Sequence, residues 1–315
     1  MESLKFLKKE KSFTFAPNTV SNMKGNIFFH EHNDSDKSAS SSPNTATGAF
    51  GNDIYIDCGN TNTVFALYSY NKNIRQESCW RINNDSKRTD DIYYPWLLQM
   101  LNLSNFGLKD ITGVCIASVV PETLLNIKSL IKKYFNVKSL VVGEKNFDIG
   151  IKVNIDNPNE AGADRLVNSF AAAKLNLSPA IIIDLGTATT FDLVGKDGSY
   201  NGGVIAPGVN LSLEALYLAA ARLPRISIKS LTNINEIIGK NTINAMESGI
   251  FWGYVSMIDG LIHKIKSIDQ FSDYKVIATG GLSHLFKDSI ESIDLIIDDL
   301  TLIGLVNLFL KNNHT

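Results

Sequence analysis

This 315-residue chain has few cysteines and histidines, a small net charge and no long apolar run. These features argue against several classes of protein. Its three cysteines, Cys58, Cys79 and Cys115, lie far apart, so we expect neither a disulfide framework nor a zinc site, and a reducing cytoplasm suits them. Five histidines show no metal-ligand spacing. The net charge of −2 and the lack of a long basic stripe leave nothing to attract nucleic acid. No apolar run approaches the length that crosses a bilayer, so we expect no membrane partner.

The N-terminal stretch is poor in apolar side chains. Residues 34–51 are rich in Ser, Asn, Thr, Ala and Gly, and cannot bury enough apolar surface to offset the entropy of ordering. The stretch lacks the apolar core of a secretory signal, and its mixture of Lys with Glu and Asp argues against a transit peptide. We therefore predict a disordered extension over 1–52, a first lobe over 53–176 and a second over 177–315, with the last helix free to pack back on the first lobe.

The chain does contain one short sequence motif that occurs twice, about 130 residues apart. The patterns are Asp57-Cys-Gly-Asn-Thr and Asp184-Leu-Gly-Thr-Ala-Thr-Thr, and each follows an apolar, β-branched run. Glycine allows the close backbone approach that a phosphate needs, and N–H and hydroxyl groups donate to phosphate oxygens. The aspartate can hold a metal ion or its waters. One such turn is compatible with an ordinary hairpin, but two of them indicate a duplicated nucleotide clamp.

The order of predicted elements indicates the fold class. Strands and helices alternate along the chain, which is typical of an α/β fold, and the repeated strand–turn–strand opening predicts two related lobes with a cleft between them. Residues 302–310 are the most apolar late segment and predict a packed helix. The predicted strands are 54–56, 64–69, 113–119, 138–142, 180–184, 190–194, 202–208 and 275–278. The other predicted helices are 93–103, 122–134, 161–175, 211–221, 244–266 and a short one after 280–281.

A third pattern, Glu160-Ala-Gly-Ala-Asp-Arg165, places a negatively charged and a positively charged side chain at a helix start. An acid there is often only a complement to the helix dipole. Beside two phosphate clamps, however, Asp164 can accept a hydroxyl proton and Arg165 can fix a carboxylate-bearing substrate. Near Gly239–Thr242 the sequence predicts another helix start, with Asn241 or Thr242 as its cap, unless Thr242 instead holds a polar group of the substrate.

Together these motifs resemble those of type III pantothenate kinases, in the superfamily of acetate and sugar kinases, heat-shock chaperones and actin. The resemblance runs from about Asp53 to Lys311. The aspartate–glycine turns are shared across the superfamily, whereas the GADR and GKNT blocks are particular to this family. The motifs are DCGNTNTV at 57–64, SVVP at 118–121, NPNEAGADR at 157–165, DLGTATTFD at 184–192, GGVIAPG at 202–208, LPRI at 223–226, GKNTINAMESG at 239–249, TGG at 279–281 and DLTLIGL at 299–305.

The resemblance implies two ribonuclease H-like lobes around a nucleotide cleft. It also implies the ATP-dependent phosphorylation of pantothenate to 4′-phosphopantothenate, the first step of coenzyme A biosynthesis, by a homodimer. It assigns Asp164 as general base and Asp184 as ligand of a monovalent cation, K⁺ or NH₄⁺, with Mg²⁺ accompanying ATP. The implied substrate pocket is Gly162, Ala163, Asp164, Arg165 and Thr242, and the implied ATP contacts are Asp57, Cys58, Gly59, Asn60, Thr61, Asn62, Thr63, Val64 and Thr187.

Two positions depart from the family pattern, and two other functions stay open. Ile155 stands where the family often has an aromatic residue, which predicts either a less polar pocket wall or a contact supplied by another residue. Ala161 stands where the family commonly has Val, a small change that we expect to be tolerated. The first alternative is a nucleotide-binding transcriptional regulator on the same fold, which would bind ATP without turning over pantothenate. The second is a chaperone- or actin-like ATPase, which would hydrolyse ATP without needing pantothenate.

Overall fold

The computed structural model describes residues 51–70, 74–85, 87–220, 223–231 and 233–313. Nearly all of the predicted extension over 1–52, including the low-complexity stretch, lies outside the described residues. The first strand begins at Asn52. Among the described residues no helix is long and apolar enough to cross a membrane.

The first lobe is built on a five-stranded sheet of order β3-β2-β1-β4-β5. Strands β1, β2 and β3 form an antiparallel meander, and β4 and β5 run parallel to β1. Helices α1 and α2 cover one face, where Tyr93, Leu97 and Ile127 join a fully buried cluster. The bounds are β1 Asn52–Cys58, β2 Asn62–Tyr70, β3 Ile74–Asn83, α1 Asp90–Leu103, β4 Ile111–Ser118, α2 Pro121–Tyr134 and β5 Ser139–Val141.

The second lobe repeats this arrangement strand for strand. Its sheet has the order β8-β7-β6-β9-β10, with β6, β7 and β8 antiparallel and β9 and β10 parallel to β6. A long helix, α5, supplies much of the core on its outer face. The bounds are β6 Ala180–Leu185, β7 Ala188–Val194, β8 Tyr200–Pro207, α4 Val209–Ala219, α5 Thr242–Lys266, β9 Lys275–Thr279, α6 Ser283–Phe286 and β10 Leu295–Ile296.

Two helices lie between the sheets. Helix α3 (Ala163–Lys174) contacts β4 of the first sheet and β6 and β7 of the second, and α7 (Leu300–Asn313) packs on α3, β1 and β4. Leu305, Val306 and Phe309 of α7 are buried against the inner face of the first sheet. The C-terminal helix therefore packs on the first lobe although it follows the second in sequence.

The expected α/β fold of two related lobes is confirmed, with differences in detail that include the two-residue strand β10, which was not predicted. Strand β3 was not predicted, because IRQESCWRIN mixes polar residues into the strand and its pattern is only half buried. Helix α3 begins at Ala163 rather than 161, because Gly162 has an extended backbone (φ −60°, ψ 142°) and serves as the N-cap. That extended residue turns the chain so that Asp164 falls in the first helical turn.

Candidate active site

The two repeated turns lie in contact across the lobes. Asp57 stands near the end of β1 and Asp184 near the end of β6, at equivalent places in the two sheets. The hydroxyls of Thr61 and Thr187 are 2.8 Å apart, although 126 residues separate them in sequence. The structure thus brings together two segments that the sequence could only match by their pattern.

The first turn is held by Asn84, the residue that follows β3. Its side-chain amide donates to the carbonyl of Gly59 and accepts from the hydroxyl of Thr63, and its N–H donates to the carbonyl of Thr61 at 2.8 Å. Asn60 and Thr61 are exposed at the tip. The side chain of Asn60 is therefore accessible to a ligand, while the hydroxyl of Thr61 bonds to Thr187 and that of Thr63 bonds to Asn84.

Two other predicted ATP contacts are oriented toward protein. Cys58 is fully buried in the outer cluster of the first lobe, and burial raises the pKa of its thiol to about 12. Val64 is half-buried against the inner cluster, where α3 and α7 pack. Because both side chains pack inside the protein, any contact with ATP would come from their backbone.

The second turn is shaped by glycines. A side chain on Gly280, which has φ +89°, would collide with Oδ1 of Asp184. A side chain on Gly186 would come within 3.4 Å of the same oxygen, and one on Gly208 would collide with the carbonyl of Thr187. The loops that carry Gly208 and Gly280 therefore approach this turn closely, and Oδ1 faces the space that two glycines leave.

Helix α3 supplies three side chains that reach this region. Asp164 lies in its first turn and accepts the N–H of Arg165 at 2.8 Å. Arg165 Nε donates to the buried carboxylate of Asp192 at 2.6 Å, while its Nη2 is buried with no hydrogen-bond partner among the described residues. Asn168, four residues after Asp164, donates to Oδ2 of Asp184 at 3.2 Å.

The carboxylates interact strongly because they share one partly buried space. Burial, with repulsion from Asp164 and Asp184, raises the pKa of Asp57 to about 7, and the guanidinium of Arg81 opposes the rise. Burial and repulsion from Asp164 and Asp192 likewise raise the pKa of Asp184 to about 7. Burial also raises the pKa of Asp164, against the N–H and charge of Arg165. Such mutual repulsion would be relieved by a cation.

The donors suit cations that bring other ligands with them. Among the described residues there is no group of three or more His, Cys, Asp or Glu side chains that could hold a metal by itself. Mg²⁺ in nucleotide sites commonly uses one or two carboxylates together with phosphates and waters. A carboxylate beside the two glycine-containing turns would fit that description, and Oδ1 of Asp184 could offer one oxygen ligand to a monovalent ion.

The remaining predicted pocket residues are placed around α3 and at α5. Gly162 caps α3, Ala163 begins it, and Ile155 lies next to Gly202 of β8. Thr242 is the first residue of α5 and is exposed, with Asn241 as the cap that accepts the N–H of Asn244 at 2.9 Å. Within the described part of one chain, no hydrogen bond joins Thr242 to α3.

Four residues at this site were not singled out from the sequence: Arg81, Asn84, Asn168 and Asp192. Asn84 and Arg81 depend on β3, which was not predicted. Asn168 carried a usable signal, because a residue four positions after Asp164 shares its face of the helix. Asp192 also carried one, since it ends the DLGTATTFD motif.

The region that carries these residues is similar to known proteins along its whole length. The profile of the type III pantothenate kinase family matches residues 54–264. A type III pantothenate kinase of Caulobacter vibrioides is 48% identical over 259 residues, which cover 82% of this chain and 97% of that protein. One from Paramagnetospirillum magneticum is 48% identical over 261 residues, again 82% of this chain and 97% of the relative.

A solved structure shows the same fold at low sequence similarity. It is described as a conserved Baf family transcriptional activator from Campylobacter jejuni, and it superposes with a TM-score of 0.50 at 16% identity. The match covers 83% of this chain and all of that one. At this level of identity the likeness concerns the fold alone.

Proposed function

The chain belongs to the type III pantothenate kinase family, and on that premise we propose how its residues perform the reaction. The reaction is the ATP-dependent phosphorylation of the primary hydroxyl of pantothenate to 4′-phosphopantothenate, which begins coenzyme A biosynthesis. The observation that supports the assignment of roles is that Asp57, Asp164 and Asp184 lie within electrostatic range of one another, on turns that touch through Thr61 and Thr187 and on the helix beside them.

Asp164 is the proposed general base. It lies at the start of α3 with its carboxylate within electrostatic reach of both turns, so a hydroxyl bound there would face phosphates held between them. Burial raises the pKa of Asp164, which makes its carboxylate a stronger proton acceptor than an exposed one. Phosphoryl transfer gains chiefly from positioning and charge stabilisation, so a well-placed carboxylate is sufficient as the base.

Arg165 is proposed to bind an oxygen of pantothenate. Asp192 fixes Nε, the ring of Tyr200 lies 5.6 Å from the guanidinium carbon, and the buried Nη2 is left with a donor to offer. A buried donor without an acceptor is costly, so a substrate oxygen would relieve that cost on binding. Gly162, Ala163 and Thr242 complete the proposed pocket.

Asp57–Val64 and Thr187 are proposed to hold the ATP phosphates, with Mg²⁺ bound by the phosphates and neighbouring carboxylates. Asp184 is proposed to hold K⁺ or NH₄⁺ through Oδ1. These cations would neutralise part of the charge on the phosphates. The positive charge of Arg81 lowers the pKa of Asp57. In the sheet, Asp57 pairs with Val64 of β2, and Val64 pairs with Arg81 of β3.

A homodimer is proposed because large apolar side chains are exposed on several elements of the second lobe, in which Thr242 is also exposed. They lie on β8, on α4, at the start of α5 and in the segment before it, and an interface there would let a partner chain complete the pocket. They are Ile205, Leu211, Leu216, Leu218, Ile234, Ile237, Ile238 and Ile243. A cytoplasmic location is proposed from the three cysteines, all of which are free thiols.

The test is an ADP-release assay on the purified chain with ATP and Mg²⁺, with and without pantothenate, in KCl and then in NaCl. We expect ADP release that requires pantothenate, a phosphorylated product by mass spectrometry, and higher rates in KCl. ATP hydrolysis that ignores pantothenate would favour an ATPase of the chaperone or actin type. ATP binding without turnover would favour the nucleotide-binding regulator.

A further inference from the structure

We propose that Asn168 is a positioning residue for Asp184, and that Thr301 of the C-terminal helix fixes the amide of Asn168 in the orientation that Asp184 needs. The inference rests on the proposed function, because Asp184 is the carboxylate assigned there to the monovalent cation. It adds roles for two residues from two helices: Asn168, which lies outside the family motifs named above, and Thr301, which lies in the DLTLIGL motif without an assigned role.

The geometry is a chain of two hydrogen bonds through three elements. Thr301, in the first turn of α7, donates its hydroxyl to Oδ1 of Asn168 at 2.7 Å. Asn168, on α3, donates its Nδ2 to Oδ2 of Asp184 at 3.2 Å, at the end of β6. The side chain of Asn168 lies in the interior, with the residue 1% exposed, so water has little access to replace either bond.

The hydrogen bond from Thr301 supports the amide orientation that Asp184 requires. An asparagine side chain carries an acceptor at one end and donors at the other, whereas a carboxylate only accepts. The NH₂ group of Asn168 therefore faces Asp184, and its Oδ1 accepts the hydroxyl of Thr301. Rotation of the amide would set Oδ1 against Oδ2 of Asp184, two acceptors in a buried place with no proton between them.

The amide in turn determines which oxygen of Asp184 is available. The terminal torsion of an aspartate is broad, so an unrestrained carboxylate rotates freely. With Oδ2 bound to Asn168, Oδ1 is directed into the space beside Gly186 and Gly280. Partners that orient a ligating group typically matter about 10–100-fold for metal affinity.

The same helix carries the proposed base. Asp164 and Asn168 are four residues apart on α3 and share a face. The contact from Asn168 therefore fixes the carboxylate of Asp184 relative to Asp164. A purely structural role for Asn168, that of a satisfied polar side chain in the core, predicts instead that its loss affects stability alone.

The test measures the K⁺ response in two ways on the full chain. The first is the melting temperature of the nucleotide-free protein as KCl replaces choline chloride at constant ionic strength. The second is the KCl concentration that half-activates the kinase. We expect Asn168→Leu to raise both half-saturating concentrations by about 10–100-fold. We expect Thr301→Val, which removes only the hydroxyl, to raise both by a smaller factor, and Thr301→Ser to restore the wild-type response.

Asn307→Leu provides a matched structural control. Asn307 is also a buried asparagine on α7, and it donates to the carbonyl of Ile303 within its own helix at 2.9 Å. We expect this variant to lower the melting temperature without moving the K⁺ midpoint. If Asn168→Leu does not fold, the comparison of Thr301→Val with Thr301→Ser still decides.

Two outcomes would contradict the inference, and they are distinguishable. If Thr301→Val and Asn168→Leu shift stability at every KCl concentration but leave the K⁺ midpoints unchanged, both residues are structural and the proposed function stands. If the wild-type protein phosphorylates pantothenate without any response to K⁺, the cation assignment of Asp184 fails and this inference fails with it.

Discussion

The two aspartate-tipped turns have the same place in the same sheet topology, yet they are held in different ways. The first is braced from within its own sheet, because Asn84 follows the edge strand β3 and bonds to the turn directly. At the second, the carboxylate is held from outside its sheet by Asn168 of α3, and glycines of two neighbouring loops surround it.

The difference indicates that the two duplicated turns have different functions. The second turn is tied to α3, which also carries Asp164 and, through Arg165, binds Asp192. The first turn meets that assembly at its tip, through Thr61 and Thr187. We therefore expect changes on α3 to affect the chemical step, and changes at the first turn to affect nucleotide binding.

The largest expected effect is on kcat, and it comes from a substitution on α3 rather than in either turn. Asp164→Asn should lower kcat by about 10²–10⁴-fold, the usual loss on removing a general base, because an amide cannot accept the hydroxyl proton. Steady-state kinetics and ATP binding by calorimetry would check this. Asp156→Asn, at an exposed carboxylate just before the helix, is the matched control and should keep its activity. Full turnover by Asp164→Asn would remove the base assignment.

A smaller effect should distinguish the first turn from α3. Asn84→Ala removes the side-chain bonds to Gly59 and Thr63, and unpaired groups of this kind cost about 1–3 kcal/mol each. We expect KM for ATP to rise by about 10-fold with little change in KM for pantothenate. Asn83→Ala, at the exposed neighbouring residue, serves as control. An equal rise in both KM values would mean that the turns are not separate in function.

The pH dependence of stability tests the burial of Asp57 together with its repulsion by Asp164 and Asp184. Because the pKa of Asp57 is raised to about 7 in the folded protein, well above its usual range, the folded state holds a proton that the unfolded state releases. The free energy of unfolding without ligands should therefore decrease as pH rises from about 4 to 7.

Asp57→Asn should flatten that decrease and raise the melting temperature near pH 7.5, since it removes one of the repelling charges. Chemical denaturation from pH 4.5 to 8 in the absence of nucleotide would measure it. Asp85→Asn, at an exposed carboxylate beyond the turn, should leave the slope as it is. A wild-type protein whose stability increases with pH over this range would contradict the expected repulsion.

The smallest effect concerns the contact between the turns. Thr61→Val removes the hydroxyl bond to Thr187, whose net value should be about 0.5–1.5 kcal/mol. A double-mutant cycle with Thr187→Val, measured on the unfolding free energy without nucleotide, should give a coupling of that order. Additive effects of the two substitutions would show that the lobes do not depend on this contact.

Much of the architecture could be predicted from local patterns. The β-branched runs before Asp57 and Asp184 form strands β1 and β6, and the apolar segment over 302–310 is a buried helix, as expected. Strand β3 could not be predicted, because its residues alternate too weakly between polar and apolar. Without β3, the brace at Asn84 could not be inferred either.

Contacts between distant residues were the other part that the sequence could not supply. Thr301 and Asn168 are separated by 133 positions, and no local pattern relates them. Their meeting depends on α7 packing back between the lobes, which fixes its first turn against α3. The pairing of Arg165 with Asp192 likewise depends on how α3 lies across β7.

The central claim is that Asp164 on α3 faces the hydroxyl to be phosphorylated, between the two turns. A crystal structure of the protein with pantothenate and a non-hydrolysable ATP analogue tests it most directly. We expect a carboxylate oxygen of Asp164 within about 2.6–3.2 Å of the primary hydroxyl of pantothenate, with the terminal phosphate on its other side. A hydroxyl that points away from Asp164, or phosphates bound outside the space between Asp57 and Thr187, would contradict the account.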